Sequence, residues 1–142
     1  MSSASSFFAS KAFAVVGASA DRSKFGNKVL RWYKDNGFTV TPINPRDHSI
    51  EEIECAKTLE DLAASRQPAD LRDLSISVVT PPSVSEKILR DAAKQGARKV
   101  WFQPGSEPDN WKMIAEELGV EAIGNGPCVL KVDLDAIPRS KL

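Results

Sequence analysis

The chain has 142 residues, 42% of them hydrophobic, which suits one domain with a core of its own and excludes a disordered segment or a stapled mini-protein. Lysine plus arginine and aspartate plus glutamate each total 19, so no bulk field draws the molecule to nucleic acid or an anionic membrane, and any anion site has to be local. The two cysteines, Cys55 and Cys128, lack metal-type spacing and indicate neither a disulfide framework nor a metal site, as expected of reduced thiols inside a cell.

Residues 1–10 are Ser and Ala with Phe7 and Phe8, and read as a flexible arm that tucks its Phe side chains against the domain. The small apolar run ending in Ala18-Ser19-Ala20 resembles a signal-peptidase site, but it has no basic start and Lys11 interrupts it. No stretch approaches the length of a membrane span. A strand is expected over residues 12–16 and a helix over 26–36, with Val29, Leu30 and Tyr33 on one face and Gly37 as its stop. The second strand covers 38–43 and closes on Asn44-Pro45, with Pro42 expected to take its end out of the sheet early.

Residues 48–55 read as a loop with one turn of helix, and His48 there as a loop residue rather than a general base. Thr58-Leu59-Glu60-Asp61 reads as the capping-box start of a short helix to residue 64. After a charged loop over 65–73 that contains Pro68, the β-branched run 74–79 gives a third strand ended by Thr80-Pro81-Pro82. Ser83 with Glu86 forms a capping box for the next helix, and Gly96 closes it. A strand over 99–102, the turn Gln103-Pro104-Gly105, a helix over 109–118 and a strand over 120–123 follow. Gly124-Asn125-Gly126-Pro127-Cys128 then leads to a last apolar run, 129–132. This alternation predicts an α/β fold: a single Rossmann-like, doubly wound domain with a mostly parallel sheet of five or six strands.

Ligands of such sheets bind beyond the carboxyl ends of the strands, where five loops converge: 17–26, 44–46, 80–82, 103–105 and 124–128. In the first, a strand stops at Gly17 and a helix starts soon after, leaving backbone N–H groups and a partial positive charge for a phosphate. It is no dinucleotide fingerprint, because Ser19 and Arg22 stand where the second and third glycines belong. Strand two ends in Asn44-Pro45-Arg46 instead of the carboxylate an NAD site uses. Asn44 suits a ribose or adenine, and Arg46 suits a phosphate on that ribose, unless it is a solvated surface charge. Thr80-Pro81-Pro82 is either a rigid guide for an extended, mostly apolar ligand arm or a plain strand-to-helix turn. Cys128 is either near the reactive end of such an arm or a small buried hydrophobe.

Five ordered motifs carry a family resemblance over residues 13–132: Ala14-Val15-Val16-Gly17-Ala18-Ser19, Pro42-Ile43-Asn44-Pro45, Ser77-Val78-Val79-Thr80-Pro81-Pro82, Val100-Trp101-Phe102-Gln103-Pro104-Gly105 and Cys128. With them the chain resembles the small stand-alone CoA-binding proteins, similar to the N-terminal CoA-binding domain of the succinyl-CoA synthetase alpha subunit. The resemblance implies that Gly17, Ala18, Ser19, Lys24 and Asn27 hold the diphosphate of coenzyme A. It implies further that Asn44, Pro45 and Arg46 hold the adenosine and its phosphate, and Thr80, Pro81, Pro82 and Gln103 the pantetheine side. Where bacterial relatives carry Asp-Arg before the cysteine, this chain has Gly126-Pro127, which removes a charged pair from the crevice. The synthetase's own chemistry needs a phosphorylated histidine on a second domain, and the chain has neither.

The expected function is therefore non-catalytic binding of coenzyme A or a short acyl-CoA, as carrier, sensor or regulator. Competing readings are a small NADP-dependent oxidoreductase, which the missing glycines disfavour, a thiol-based redox or acyl-transfer protein using Cys128, and a structural adaptor. Three segments are expected: the arm 1–10, the binding domain 11–133, and a tail 134–142 ending in Ser140-Lys141-Leu142. That tripeptide is the peroxisomal address, so the import receptor is the expected protein partner and the peroxisomal matrix, rather than the cytoplasm, the expected location.

Overall fold

A computed structural model describes residues 3–66 and 71–136, so Pro68 and the Ser140-Lys141-Leu142 tail lie outside the described residues. Helix α1 (Ser3–Phe8) precedes β1 (Ala12–Val16), α2 (Phe25–Asp35) and β2 (Val40–Ile43). The hairpin β3 (Ser49–Ile50) and β4 (Ile53–Glu54) leads to α3 (Leu59–Ala64), β5 (Leu74–Val78) and α4 (Pro82–Lys94). The chain continues through β6 (Lys99–Phe102), α5 (Trp111–Leu118) and β7 (Glu121–Ile123). Two 3-10 turns, Val129–Lys131 and Leu134–Ala136, follow. Among the described residues no helix is long and apolar enough to cross a membrane.

The main sheet has the order β2-β1-β5-β6-β7 with every pair parallel. Every residue of β5 is buried, as a central strand covered on both faces requires. One face, with Ala14, Val16, Ile76, Val78, Val100 and Phe102, packs against Leu59 and Leu62 of α3, Leu89 of α4 and Ile114 of α5. The other face places Phe13, Val15 and Trp101 against Val29, Leu30 and Tyr33 of α2. On that face Ser77, a polar residue in a central strand, is satisfied by the Tyr33 hydroxyl at 2.6 Å.

Residues 3–8, read from the sequence as part of a flexible arm, are helical. Phe7 and Phe8 are buried, and Phe7 meets Trp101 edge-on with ring centroids 5.3 Å apart. The free carbonyls at the end of α1 find donors: Ser75 Oγ bonds the Phe7 carbonyl at 2.6 Å and Lys99 Nζ the Ser6 carbonyl at 2.8 Å. Aromatic burial fixes the segment where propensity gave no signal.

Residues 48–55 form the antiparallel β3–β4 hairpin rather than a loop with a turn of helix. Glu51 and Glu52 both take positive φ, 51° and 67°, as a two-residue hairpin turn demands. Ser83 does not cap α4: Pro81 is the N-cap and Pro82 opens the helix, where its missing N–H costs nothing, while Glu86 pairs with Arg90 at 3.3 Å. Pro42 sits within β2, one residue before the strand ends, at a sheet edge. Its carbonyl accepts from Ala56 N on the outer side, so its missing N–H also faces outward and the β1 ladder is intact.

Candidate functional site

The connections leave β1 toward β2 on one side and β5 toward β6 and β7 on the other, so the switch in strand order lies between the ends of β1 and β5. Gly17 follows β1 there with φ of 92°, and a Cβ on it would stand 2.0 Å from the Val79 carbonyl oxygen. Gly26, in the first turn of α2, is as tightly placed, since its Cβ would stand 2.1 Å from the Gly17 oxygen. The backbone of loop 17–26 thus closes on itself against the sheet only because both positions lack a side chain. Gly26 supplies the close helix-to-strand packing that the fingerprint assigns to its third glycine; its different spacing hid it from the sequence reading.

Asp21 shapes the rest of this loop. Its carboxylate accepts from Ser23 N at 2.9 Å and Ser23 Oγ at 2.7 Å, bonds that hold its pKa below the ordinary value. Ser19 Oγ accepts from Asp21 N at 3.1 Å. Lys24 is the N-cap of α2 with extended backbone and no side-chain cap; Asn27 N donates to the Lys24 carbonyl at 3.1 Å, which leaves the Phe25 and Gly26 N–H groups their capacity for an anion.

Asn27 and Asn44 brace the loop from inside. Asn27 Nδ2 donates to the Ser19 carbonyl at 2.8 Å and to Glu51 at 3.1 Å, and its Oδ1 accepts from Arg31 Nε at 2.7 Å. Asn44 Nδ2 donates to the Ala18 carbonyl at 3.0 Å, and its Oδ1 accepts from Arg46 N and Asp47 N at 2.7 and 2.9 Å. Both asparagines, expected at a ligand, act here on the backbone that would hold one.

A cavity of about 620 Å³ opens at this switch point and runs between α3 and α4. Of the residues expected at a ligand it brings together Gly17, Ala18, Pro45 and Thr80. Its size falls in the range of roughly 300–1,000 Å³ usual for small-molecule sites. Ile43, Leu59, Val84 and Ile88 make its apolar wall, and Lys57, Thr58, Glu60 and Lys87 stand among its polar groups.

Residues 11–132 match the family model described as a CoA binding domain. The chain belongs to that family. The ADP-forming acetate–CoA ligase of Methanocaldococcus jannaschii is 32% identical over 122 residues, which are 80% of this chain and 16% of the ligase, so the chain spans under a fifth of that relative's length. A conserved hypothetical protein from Pyrococcus furiosus is 32% identical with a TM-score of 0.70, over 82% of this chain and 94% of its own. A hypothetical protein from Pyrococcus horikoshii OT3 shares the fold at 22% identity, with a TM-score of 0.78 over 91% of this chain and 85% of its own. The Rossmann-like α/β fold and the CoA-binding family expected from the motifs both hold.

Elsewhere in this CoA-binding domain, the remaining expected residues stand apart from the cavity wall. Arg46 is exposed on the turn after Asn44. Pro81 and Pro82 start α4, and Thr80 Oγ1 shares a hydrogen bond with Ser85 Oγ at 2.7 Å. Gln103 is fully buried: its Oε1 accepts from Val129 N at 2.8 Å while its Nε2 has no partner among the described residues. Trp101, two residues earlier, donates from Nε1 to the Pro127 carbonyl at 3.1 Å, so β6 and the residue after it hold both sides of Cys128. Cys128 is half-buried, as is Cys55, whose thiol pKa is pushed up by burial and then by the charge of Asp47.

Sequence reasoning missed Lys57, Thr58, Leu59, Val84 and Ile88 as cavity residues because it looked only at strand-end loops. The capping signal at Thr58 located the start of α3. What was not legible was the parallel bridge between Ile43 and Ala56 that brings this helix start beside the end of β2.

Proposed function

We propose that this protein binds coenzyme A or a short acyl-CoA without catalysing a reaction on it, as a carrier, sensor or regulator. The observation that carries this reading is the backbone cradle of Gly17 and Gly26 under the uncapped start of α2, opening into the α3–α4 cavity of a CoA-binding domain. A diphosphate suits those N–H groups, the Asn44-Pro45 side suits the adenosine, and the cavity's apolar wall with Thr80 suits the pantetheine arm. CoA, when bound, supplies a thiol that carries acyl groups.

Titration calorimetry with CoA and acetyl-CoA tests the binding, with NADPH as control. Heat from CoA and none from NADPH is expected; the reverse overturns the proposal. Turnover of a bound acyl-CoA to free CoA would overturn its non-catalytic part. The proposal includes the peroxisomal matrix, reached through the import receptor that reads Ser140-Lys141-Leu142. A fluorescent protein fused ahead of the chain is expected in peroxisomes and, after deletion of Leu142, in the cytosol; a cytosolic signal from the intact fusion overturns that part.

A further inference from the structure

The cavity wall includes a cation that strand-end reasoning did not select. Ile43 and Ala56 form a parallel bridge, with Asn44 N donating to the Ala56 carbonyl at 3.0 Å and Ala56 N to the Pro42 carbonyl at 3.0 Å. The segment after Ala56 therefore runs alongside the segment after Ile43, bringing Lys57 beside Asn44 and Pro45. Its backbone is held on both sides, by this bridge and by Thr58, whose Oγ1 caps α3 by accepting from Asp61 N at 3.1 Å. Lys57, an exposed residue, lines the cavity together with Gly17, Ala18 and Pro45, and none of the ion pairs among the described residues takes its ammonium.

The other charges divide differently. Lys87 on the opposite wall is taken by Asp91 at 2.7 Å, and Lys94 lies at the far end of α4, beside Gln95. Arg46, expected at the ribose phosphate, is carried off the cavity wall by the turn in which Asn44 Oδ1 accepts from Arg46 N and Asp47 N.

We infer that Lys57, rather than Arg46, is the specificity-determining cation that reads the phosphate on the adenosine ribose of the ligand. The inference rests on the CoA-binding reading above and names its phosphate contact. With the diphosphate at the Gly17 loop and the adenosine over Asn44 and Pro45, a phosphate on that ribose meets the cavity edge where Lys57 stands. An ammonium answers it as a point charge.

Calorimetry with CoA and 3'-dephospho-CoA on the full chain tests this in four proteins: unaltered, Lys57→Gln, Lys57→Arg and Arg46→Gln. The unaltered chain is expected to prefer CoA by about tenfold, the scale of one charge-assisted hydrogen bond. Lys57→Gln is expected to lose that preference while keeping its affinity for dephospho-CoA, which also reports that it folds. Lys57→Arg is expected to restore the preference, and Arg46→Gln to leave it intact. A preference that survives Lys57→Gln, or vanishes in Arg46→Gln, overturns the inference while CoA binding stands. Equal binding of the two ligands by the unaltered chain does the same, and binding of neither overturns the proposed function itself.

Discussion

Asn27 at the start of α2 donates a hydrogen bond to the Glu51 carboxylate at 3.1 Å, joining the loop 17–26 side of the domain to the turn of the β3–β4 hairpin. Arg22 Nε reaches the same carboxylate at 3.3 Å, and Lys34 Nζ bonds the Glu51 carbonyl at 2.6 Å. The hydrogen bond from Asn27, followed among the lowering effects by the charges of Arg22, Arg31 and Lys34, holds the Glu51 pKa below its ordinary value of 4.5.

The folded chain keeps Glu51 ionised at pH values where the unfolded chain already binds a proton. Its contribution to stability is therefore present above the ordinary value and lost as pH falls through the lowered one. Urea unfolding at steps from pH 7 to pH 3 is expected to show Glu51→Gln less stable than the unaltered chain at neutral pH, with the gap closing in acid. A gap independent of pH would contradict this account.

Gly26→Ala is expected to destabilise the fold by about 1–3 kcal/mol, because the added methyl meets backbone rather than a side chain that can move away. CoA binding should weaken with it, since α2 has to withdraw from the Gly17 loop. Gly37→Ala is the control: φ of 81° strains it, yet its Cβ enters open space, so it costs about 1–2 kcal/mol of backbone strain and leaves CoA affinity unchanged. The two effects separate in parallel urea and calorimetry measurements.

Tyr33→Phe leaves the Ser77 hydroxyl buried without its partner and is expected to cost about 1–3 kcal/mol. The double variant with Ser77→Ala should recover part of that loss. Burial pushes the Tyr33 pKa well above its ordinary 10.0, so the unfolded chain gives up this proton first and stability falls as pH rises past that value. Absorbance at alkaline pH should show the phenolate appearing together with unfolding rather than before it.

Phe8→Ala is expected to lower stability by about 3–5 kcal/mol, the scale of a buried aromatic truncation, although the residue belongs to a segment that reads as a flexible arm. A change near zero in the urea midpoint would return residues 3–8 to that reading.

The strands were legible because their apolar runs are punctuated by local signals: Gly17 after β1, Asn44-Pro45 after β2 and Pro81-Pro82 after β5. The short helix α3 was legible from Thr58, whose cap bond forms as its residue type suggests. What stayed hidden depends on contacts between distant segments. Ser-Ala-rich α1 takes its order from Trp101, and Gly26 shows its purpose only against Gly17. Lys57 joins the cavity wall through a bridge to β2 that no local pattern announces.

The Glu51–Glu52 turn is not stable on its own terms. Two adjacent left-handed residues with β-carbons oppose the hairpin locally, and strands of two residues each cannot hold it alone. Ile50, buried in the core cluster with Val29 and Tyr33, supplies the missing drive, and Asn27, Arg22 and Lys34 hold Glu51 at the turn. The hairpin thus depends on contacts with α2 and the loop before it. Its amides should exchange with solvent while those of β1 and β5 remain protected, so that one flank of loop 17–26 opens without the sheet.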